Sequence, residues 1–180
     1  VTGLDGWYVA GDGAHTVTVV WKAGGAVYAK RVELAAGTTI YGPATVCTDA
    51  AVADARGPGS TAALTGAAGD GAGGVWVWCT LSPTAGTGDT VLNHVSATGA
   101  VAAADPGIAV EQGTVKSLDV DALGHAVVLL GSPGRNGLAV QRYDTDGAAD
   151  WSAPATPYNP LLPPPAPVTQ EPLAVTAGAN

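Results

Sequence analysis

The chain of 180 residues carries 15 acidic and 7 basic side chains, which gives a net charge of −8 and a pI near 4.4. This charge excludes nucleic acids and anionic membrane surfaces as partners, because no cluster of lysine or arginine offsets the repulsion. The 26 glycines, the 13 prolines and a charged fraction of only 12% exclude a helical bundle and favour many short strands joined by turns.

The chain begins at Val1 and contains no methionine. We therefore expect either that a leader has been removed or that the chain is part of a longer product. Removal of a leader predicts an extracellular, cell-surface or periplasmic location. No apolar stretch approaches the ~18 residues that cross a bilayer, so no membrane span is predicted.

Three similar units follow one another along the chain, at about residues 5–48, 62–112 and 114–154, and they predict an all-β repeat domain over residues 1–154. Each unit begins with a short predicted strand, at 6–10, 62–67 and 116–120. A turn glycine comes next, at Gly13, Gly71 and Gly124. A strongly apolar run follows, at 17–21, 75–79 and 126–130.

The second half of each unit is an alternating strand that ends in another turn. This strand contains a basic position, at Lys30-Arg31, His94 and Arg142. The turn that follows contains a glycine, at Gly37, Gly99 and Gly147. Such spacing predicts three to four antiparallel strands in each unit.

The apolar runs give the strongest indication of the fold. In VWVWC, Trp76 and Trp78 lie on one face of the strand, and Val75, Val77 and Cys79 lie on the other. Burial of both faces is typical of sheets stacked on sheets, as in the blades of a β-propeller. We therefore predict propeller-like antiparallel sheets, with a β-trefoil or a β-sandwich as the alternatives.

The third unit, SLDVDALGHAVVLLGSPGRNGLAVQRYDTDGAADWS, has a characteristic spacing of turn, strand and aromatic residues. The positions are Asp121, Gly124, Gly131, Arg142, Tyr143, Asp146, Gly147 and Trp151. Through them the unit resembles the SBBP-type repeats of bacterial secreted β-propeller-like proteins, which the other two units match more loosely. The resemblance implies a secreted or surface-attached propeller whose repeats carry no catalytic residues. Propellers close with about four to eight blades, so three units imply part of a larger propeller, an oligomer that completes one, or an open array.

Two segments lie outside this pattern. Residues 48–62 are small and polar and are predicted to connect the first two units. Residues 155–180 are dense in proline, which removes backbone donors and favours polyproline II, so a stiff extended segment is predicted there.

The two cysteines, Cys47 and Cys79, both lie in strand-like contexts. The chain has no CxxC motif and no histidine close to either cysteine, which argues against zinc. We predict a disulfide between them, in keeping with an oxidising location. The alternative is a pair of buried free thiols.

Three carboxylates, Asp144, Asp146 and Asp150, cluster after the last alternating strand. Carboxylate oxygens are the ligands that calcium prefers, and this is the candidate metal site in the chain. A hairpin turn at Asp146-Gly147 is the favoured interpretation, because the equivalent segments of the other two units keep the turn but lack the acids. The prediction is therefore that no metal is bound.

Two tryptophans outside the apolar runs, Trp7 and Trp151, are the candidates for stacking on a sugar ring. The alternative is that they pack between neighbouring sheets.

The predicted function is a non-enzymatic structural, adhesive or protein–protein interaction module of a secreted or cell-surface assembly, without a cofactor. Its predicted partners are other protein subunits of that assembly. No Gly-x-Ser-x-Gly nucleophile motif is present. A carbohydrate-binding module is the alternative, and a hydrolase whose acids are brought together by the fold is the third hypothesis.

Overall fold

A computed structural model of the chain describes residues 6–12, 15–82, 90–110, 114–131, 138–151 and 155–158. These residues form three separate four-stranded antiparallel sheets, each with its strands in chain order. Sheet 1 consists of β1 (Trp7–Gly11), β2 (Thr16–Ala23), β3 (Ala26–Glu33) and β4 (Thr39–Thr48). Sheet 2 consists of β5 (Thr61–Gly69), β6 (Val75–Ser82), β7 (Thr90–Val95) and β8 (Ile108–Val110). Sheet 3 consists of β9 (Thr114–Val120), β10 (Ala126–Gly131), β11 (Leu138–Tyr143) and β12 (Ala155–Tyr158).

The three sheets are stacked, with sheet 2 in the middle. Val20 of sheet 1 packs in one buried cluster with Val77 of sheet 2, and Trp76 of sheet 2 packs in a second cluster with Val128 of sheet 3. Trp76 and Val77 are neighbours on opposite faces of β6, and both are buried. The prediction of an all-β fold of propeller-like sheets is therefore confirmed.

Neither alternative fold fits the described residues. A β-sandwich has two sheets, and this chain has three. A β-trefoil would pair strands of different units in a shared barrel, whereas each sheet here contains the strands of one unit. The first strands of neighbouring sheets also contact each other, β1 with β5 and β5 with β9, as around the axis of a propeller.

The second and third strands of all three sheets are paired in the same register. The basic residue of the third strand lies opposite one residue of the apolar run: Arg31 opposite Thr18, His94 opposite Trp76, and Arg142 opposite Val127. We call the face with the basic residue the leading face of each sheet, and the opposite one the trailing face. The leading face of sheet 1 packs on the trailing face of sheet 2, and sheets 2 and 3 repeat this arrangement.

Two elements differ from the sequence predictions. The predicted connection at 48–62 contains the helix α1 (Asp49–Arg56), which begins at an N-cap where Thr48 Oγ1 accepts the Ala51 N–H, and which buries Val52. Sheet 3 ends with β12, which pairs with β11 and lies past the predicted boundary at residue 154. An edge strand accommodates Pro157, since a donor is dispensable on its outer side.

Candidate functional site

An aspartate in the first turn of sheet 3 is bound to the basic residue of the third strand. Asp121 Oδ1 accepts the N–H groups of Leu123 at 2.8 Å and of His125 at 3.0 Å. Asp121 Oδ2 accepts a hydrogen bond from Arg142 Nε at 2.8 Å. One carboxylate therefore closes the turn between β9 and β10 and also fastens it to β11.

Sheet 2 repeats the arrangement with histidine in place of arginine. Asp70 Oδ1 accepts the N–H groups of Ala72 and Gly74, both at 2.8 Å, and Asp70 Oδ2 lies 2.9 Å from His94 Nε2. An ionised carboxylate only accepts, so the proton of this bond is on His94 Nε2. A side chain at Gly74 would overlap the Asp70 carboxylate.

Sheet 1 has the same pair. Asp12 Oδ2 accepts from Arg31 Nη2 at 2.7 Å, and Asp12 Oδ1 is 3.4 Å from the Thr16 N–H. The sequence indicated the first-turn glycine and the basic position in each unit, and the aspartate of that turn in the third unit. It did not show that they meet, because that depends on the strand register.

The electrostatics of these pairs favour ionised aspartates. Burial alone would raise the pKa of Asp70, but the hydrogen bonds from His94 and from the backbone of Ala72 and Gly74 hold the pKa of Asp70 below its usual value. The pKa of Asp121 is likewise lowered, since the backbone N–H groups and Arg142 outweigh its desolvation. These carboxylates are saturated by internal donors, which is typical of structural ion pairs.

Residues of the leading faces also connect one sheet to the next. Arg31 Nη1 donates to the Ala97 carbonyl of sheet 2 at 3.1 Å. Trp76 packs against the His94 ring in a tilted arrangement with centroids 4.9 Å apart, and its Nε1 donates to the Gly124 carbonyl of sheet 3 at 2.9 Å. The charged and aromatic groups of this site therefore hold the stack of sheets together.

Sequence reasoning missed a second polar position, which immediately precedes the basic residue on the third strand. Asn93 is buried; its Nδ2 donates to the Val46 carbonyl of sheet 1 at 3.2 Å, and its Oδ1 accepts the Ala103 N–H at 3.0 Å. The buried Gln141 occupies the same register in sheet 3. The available signal was a polar residue before the base in every unit: Lys30, Asn93 and Gln141.

Two carboxylates of the calcium candidate, Asp144 and Asp150, bind donors of the chain itself, and Asp146 lies at an exposed position. Asp144 Oδ1 caps a turn by accepting the N–H groups of Asp146 at 3.0 Å and Ala148 at 2.8 Å. Asp150 Oδ2 lies 3.2 Å from Arg142 Nη1 and from His125 Nδ1. Within the described residues, no three acidic, histidine or cysteine side chains are grouped as metal ligands.

The predicted disulfide is absent from the structure. Cys47 and Cys79 are buried free thiols whose Sγ atoms lie 3.1 Å apart, compared with about 2.05 Å in a disulfide. They lie where β4 of sheet 1 meets β6 of sheet 2, inside an apolar cluster. The contact with Cys47 and burial raise the pKa of the Cys79 thiol, which makes it an inert core group.

The structure does not bring the two candidate tryptophans together. Trp7 lies on β1, on the trailing face of sheet 1, and is 65% exposed. Trp151 follows the last turn of sheet 3 and is 38% exposed. Sheet 2 separates the two sheets to which they belong.

The trailing face of sheet 1 is the main surface feature of the described residues. Trp7 lies opposite Trp21, and Trp21 lies opposite Tyr28, with the last two rings 5.6 Å apart. The same face carries an aliphatic group: Val9, Val17, Val19 and Val32. Neither buried cluster contains a side chain from this face of β1, β2 or β3.

The comparisons with known proteins do not identify the chain. No protein-family model matches it, and a search of the curated proteins finds no significant match. Nowhere in the described ranges is there a helix long and apolar enough to cross a membrane.

Proposed function

We propose that the protein is a non-enzymatic structural or protein–protein interaction module of a secreted or cell-surface assembly, as its resemblance to SBBP-type repeats implies. The observation that carries this proposal is the open trailing face of sheet 1. The equivalent faces of sheets 2 and 3 are buried against another sheet, whereas Val9 and Trp7 on this face are 53% and 65% exposed. An apolar sheet face with two exposed side chains and the rest half-buried is typical of an interaction surface.

The charged residues support the same proposal. The aspartates of the three first turns and their basic partners bind one another, so their charges serve the stack of sheets. A catalytic site would instead need titratable side chains that face a cleft and whose pKa values are shifted to suit proton transfer.

Site-specific cross-linking in cells that produce the protein tests this proposal. A photoreactive amino acid at position 9 should form adducts with protein, because Val9 lies in the open face. The same group at position 123 is the matched control, since Leu123 is 71% exposed but lies in a turn of sheet 3. Equal adduct formation at the two positions, or none at position 9, would contradict the proposal.

A carbohydrate-binding module is the second candidate, favoured by the exposed ring of Trp7 beside Trp21 and Tyr28. Binding on a glycan array that is lost in Trp7→Ala would support this function. Trp151→Ala tests the second candidate tryptophan separately. The absence of binding to every glycan would end this alternative.

A further inference from the structure

We infer that the segment directly after β12 folds back over the leading face of sheet 3, with Leu161 and Leu162 packed on Leu129 and Leu138. The stack of sheets then has one end that is closed by its own chain and one open end, the trailing face of sheet 1. This contact goes beyond the proposed function and forms within one chain, whether or not the open face binds a partner.

The first support is that two leucines on the leading face of sheet 3 are buried. In β10, Leu129 shares a face with Val127, the partner of Arg142. Leu138 pairs with Gly131 and lies on this same face. Leu129 is 3% exposed and Leu138 is 9% exposed, yet neither belongs to the two clusters of buried residues that join the sheets. Sheet 2, which packs on the opposite face, therefore does not account for their burial.

The open face of sheet 1 shows how exposed such a position is without a cover. Val19 lies in β2 between two paired strands, as Leu129 lies in β10 between β9 and β11. Val19 is nevertheless partly exposed, whereas the larger Leu129 is almost completely buried. Pairing within a sheet does not bury a middle-strand side chain on its outer face, so Leu129 needs a cover from outside sheet 3.

The segment after β12 begins beside the two buried leucines. Tyr158, the last residue of β12, pairs with Leu138. Tyr158 and Leu129 are about 12 Å apart, since they are separated by two strand spacings and by two residues along the strand. The backbone extends by at most ~3.6 Å per residue, so Leu161 and Leu162 are near enough to cover both leucines.

The composition of this segment suits a cover for an apolar face. Residues 159–170, NPLLPPPAPVTQ, contain no charged side chain, so burial of this stretch leaves no charge without water. Prolines lie on both sides of the two leucines, at Pro160 and Pro163. They restrict the backbone in advance, so less conformational entropy is lost when the leucines are buried.

Other segments that adjoin sheet 3 along the chain lack the side chains for this role. Residues 132–137, SPGRNG, and residues 152–154, SAP, contain no valine, leucine, isoleucine or aromatic residue. Leu4 is three residues from the start of β1, and sheet 2 separates sheet 1 from sheet 3. Leu161 and Leu162 are therefore the large apolar side chains that the chain brings to this face.

The cover has a consequence for assembly. A stack of repeated units presents an apolar face at each end unless a cap lies over it. With the segment after β12 in place, another sheet cannot stack on sheet 3. Contacts through sheet faces are then limited to the trailing face of sheet 1.

Nuclear Overhauser contacts between leucine methyl groups in the folded wild-type chain test this inference directly. We expect cross-peaks between the methyl groups of Leu161 or Leu162 and those of Leu129 or Leu138. Substitution of each leucine in turn by isoleucine assigns the signals. The absence of these cross-peaks would overturn the inference, and so would contacts of Leu129 with residues 132–137 alone.

The double variant Leu161→Asp/Leu162→Asp measures whether the contact stabilises the fold. Charged side chains are expelled from an apolar face, so the melting temperature should fall by about 5 °C or more. Leu173→Asp/Val175→Asp, further along the same segment, is the matched control and should melt within about 1 °C of the wild type. Equal melting temperatures of the two double variants would contradict the inference. Cross-linking at position 9 tests the proposed function separately and should give the same adducts in both variants.

Discussion

Sheets 1 and 2 have the same strand order and the same register, but sheet 2 is buried on both faces and sheet 1 on one. The difference is visible at equivalent positions. Cys79 and Asn93 of sheet 2 are buried, whereas Trp21 and Lys30 of sheet 1 are partly exposed. The repeated pattern therefore specifies a sheet, and the side chains at a few equivalent positions differ according to whether a neighbouring sheet covers that face.

Among substitutions that test this difference between sheets 1 and 2, the largest loss of stability is expected in the middle of the stack. Trp76→Ala removes a fully buried side chain and its hydrogen bond to Gly124, and should cost about 3–5 kcal/mol of unfolding free energy. Trp21→Ala should cost no more than about 1–2 kcal/mol, because its ring is only partly covered. Urea denaturation measures both losses. Equal losses would mean that the trailing face of sheet 1 is covered within the chain.

The buried pair of Asp70 and His94 should make the stability of sheet 2 sensitive to acid. The pKa of Asp70 is lower in the folded than in the unfolded chain, so its stabilisation is present above about pH 4 and is lost as the pH falls through the folded-state pKa. Asp70→Asn places an amide donor opposite His94 and should cost about 1–3 kcal/mol at pH 6.

Melting temperatures of the wild type and Asp70→Asn between pH 6 and pH 2.5 test this expectation. The gap between the two proteins should narrow below about pH 4. Asp54→Asn, on an exposed position of α1, is the matched control and should follow the wild type throughout. A gap that stays constant down to pH 2.5 would show that the ionised carboxylate of Asp70 does not contribute.

The cysteine pair tests the interface between sheets 1 and 2. Cys79→Ala removes one buried sulfur and should cost about 1–2 kcal/mol, less than the loss at Trp76 because a smaller cavity is left. Chain unfolded without reductant should incorporate two equivalents of an alkylating reagent, as expected for free thiols. Cysteines that react with the reagent only after reduction would instead support the predicted disulfide.

The smallest change in stability is expected at the turn after β11, which contains Asp144. Asp144 and Ser96 cap equivalent turns, since Ser96 Oγ accepts the Ala100 N–H at 3.1 Å as Asp144 accepts the Ala148 N–H. Asp144→Ser should therefore change stability by less than about 0.5 kcal/mol. Added calcium should not raise the melting temperature of either protein, and a rise that disappears in Asp144→Ser would revive the calcium hypothesis.

The sequence predicted the parts of the fold that depend on neighbouring residues. The glycines of the second turns, Gly99 and Gly147, have φ values of 89° and 87°, as a tight turn between strands requires. The two-faced apolar run VWVWC predicted a strand that is buried on both faces, and sheet 2 is buried in this way. Both signals act over a few residues and need no knowledge of the rest of the chain.

The features that the sequence did not predict depend on long-range pairing. The partnership of Asp70 with His94 joins the first turn of sheet 2 to its third strand, and only the register of β6 and β7 brings the two residues together. The helix α1 lies in a segment of small residues without a long apolar stripe, and its position depends on Val52 and on the contact of Thr48 with Asp105. The free thiols depend on how two sheets meet, which spacing along the chain does not determine.

In each sheet, one carboxylate binds both the first turn and the third strand, and this bears on how the number of units can change. Each sheet fastens its own first turn to its own third strand, as Asp121 does with Arg142, so the geometry of one unit does not depend on the next. Some polar contacts between units use backbone carbonyls, such as those of Ala97 and Gly124, which every residue type provides. A duplicated unit would therefore find these acceptors already in place, whereas its apolar faces would still have to match those of its new neighbours.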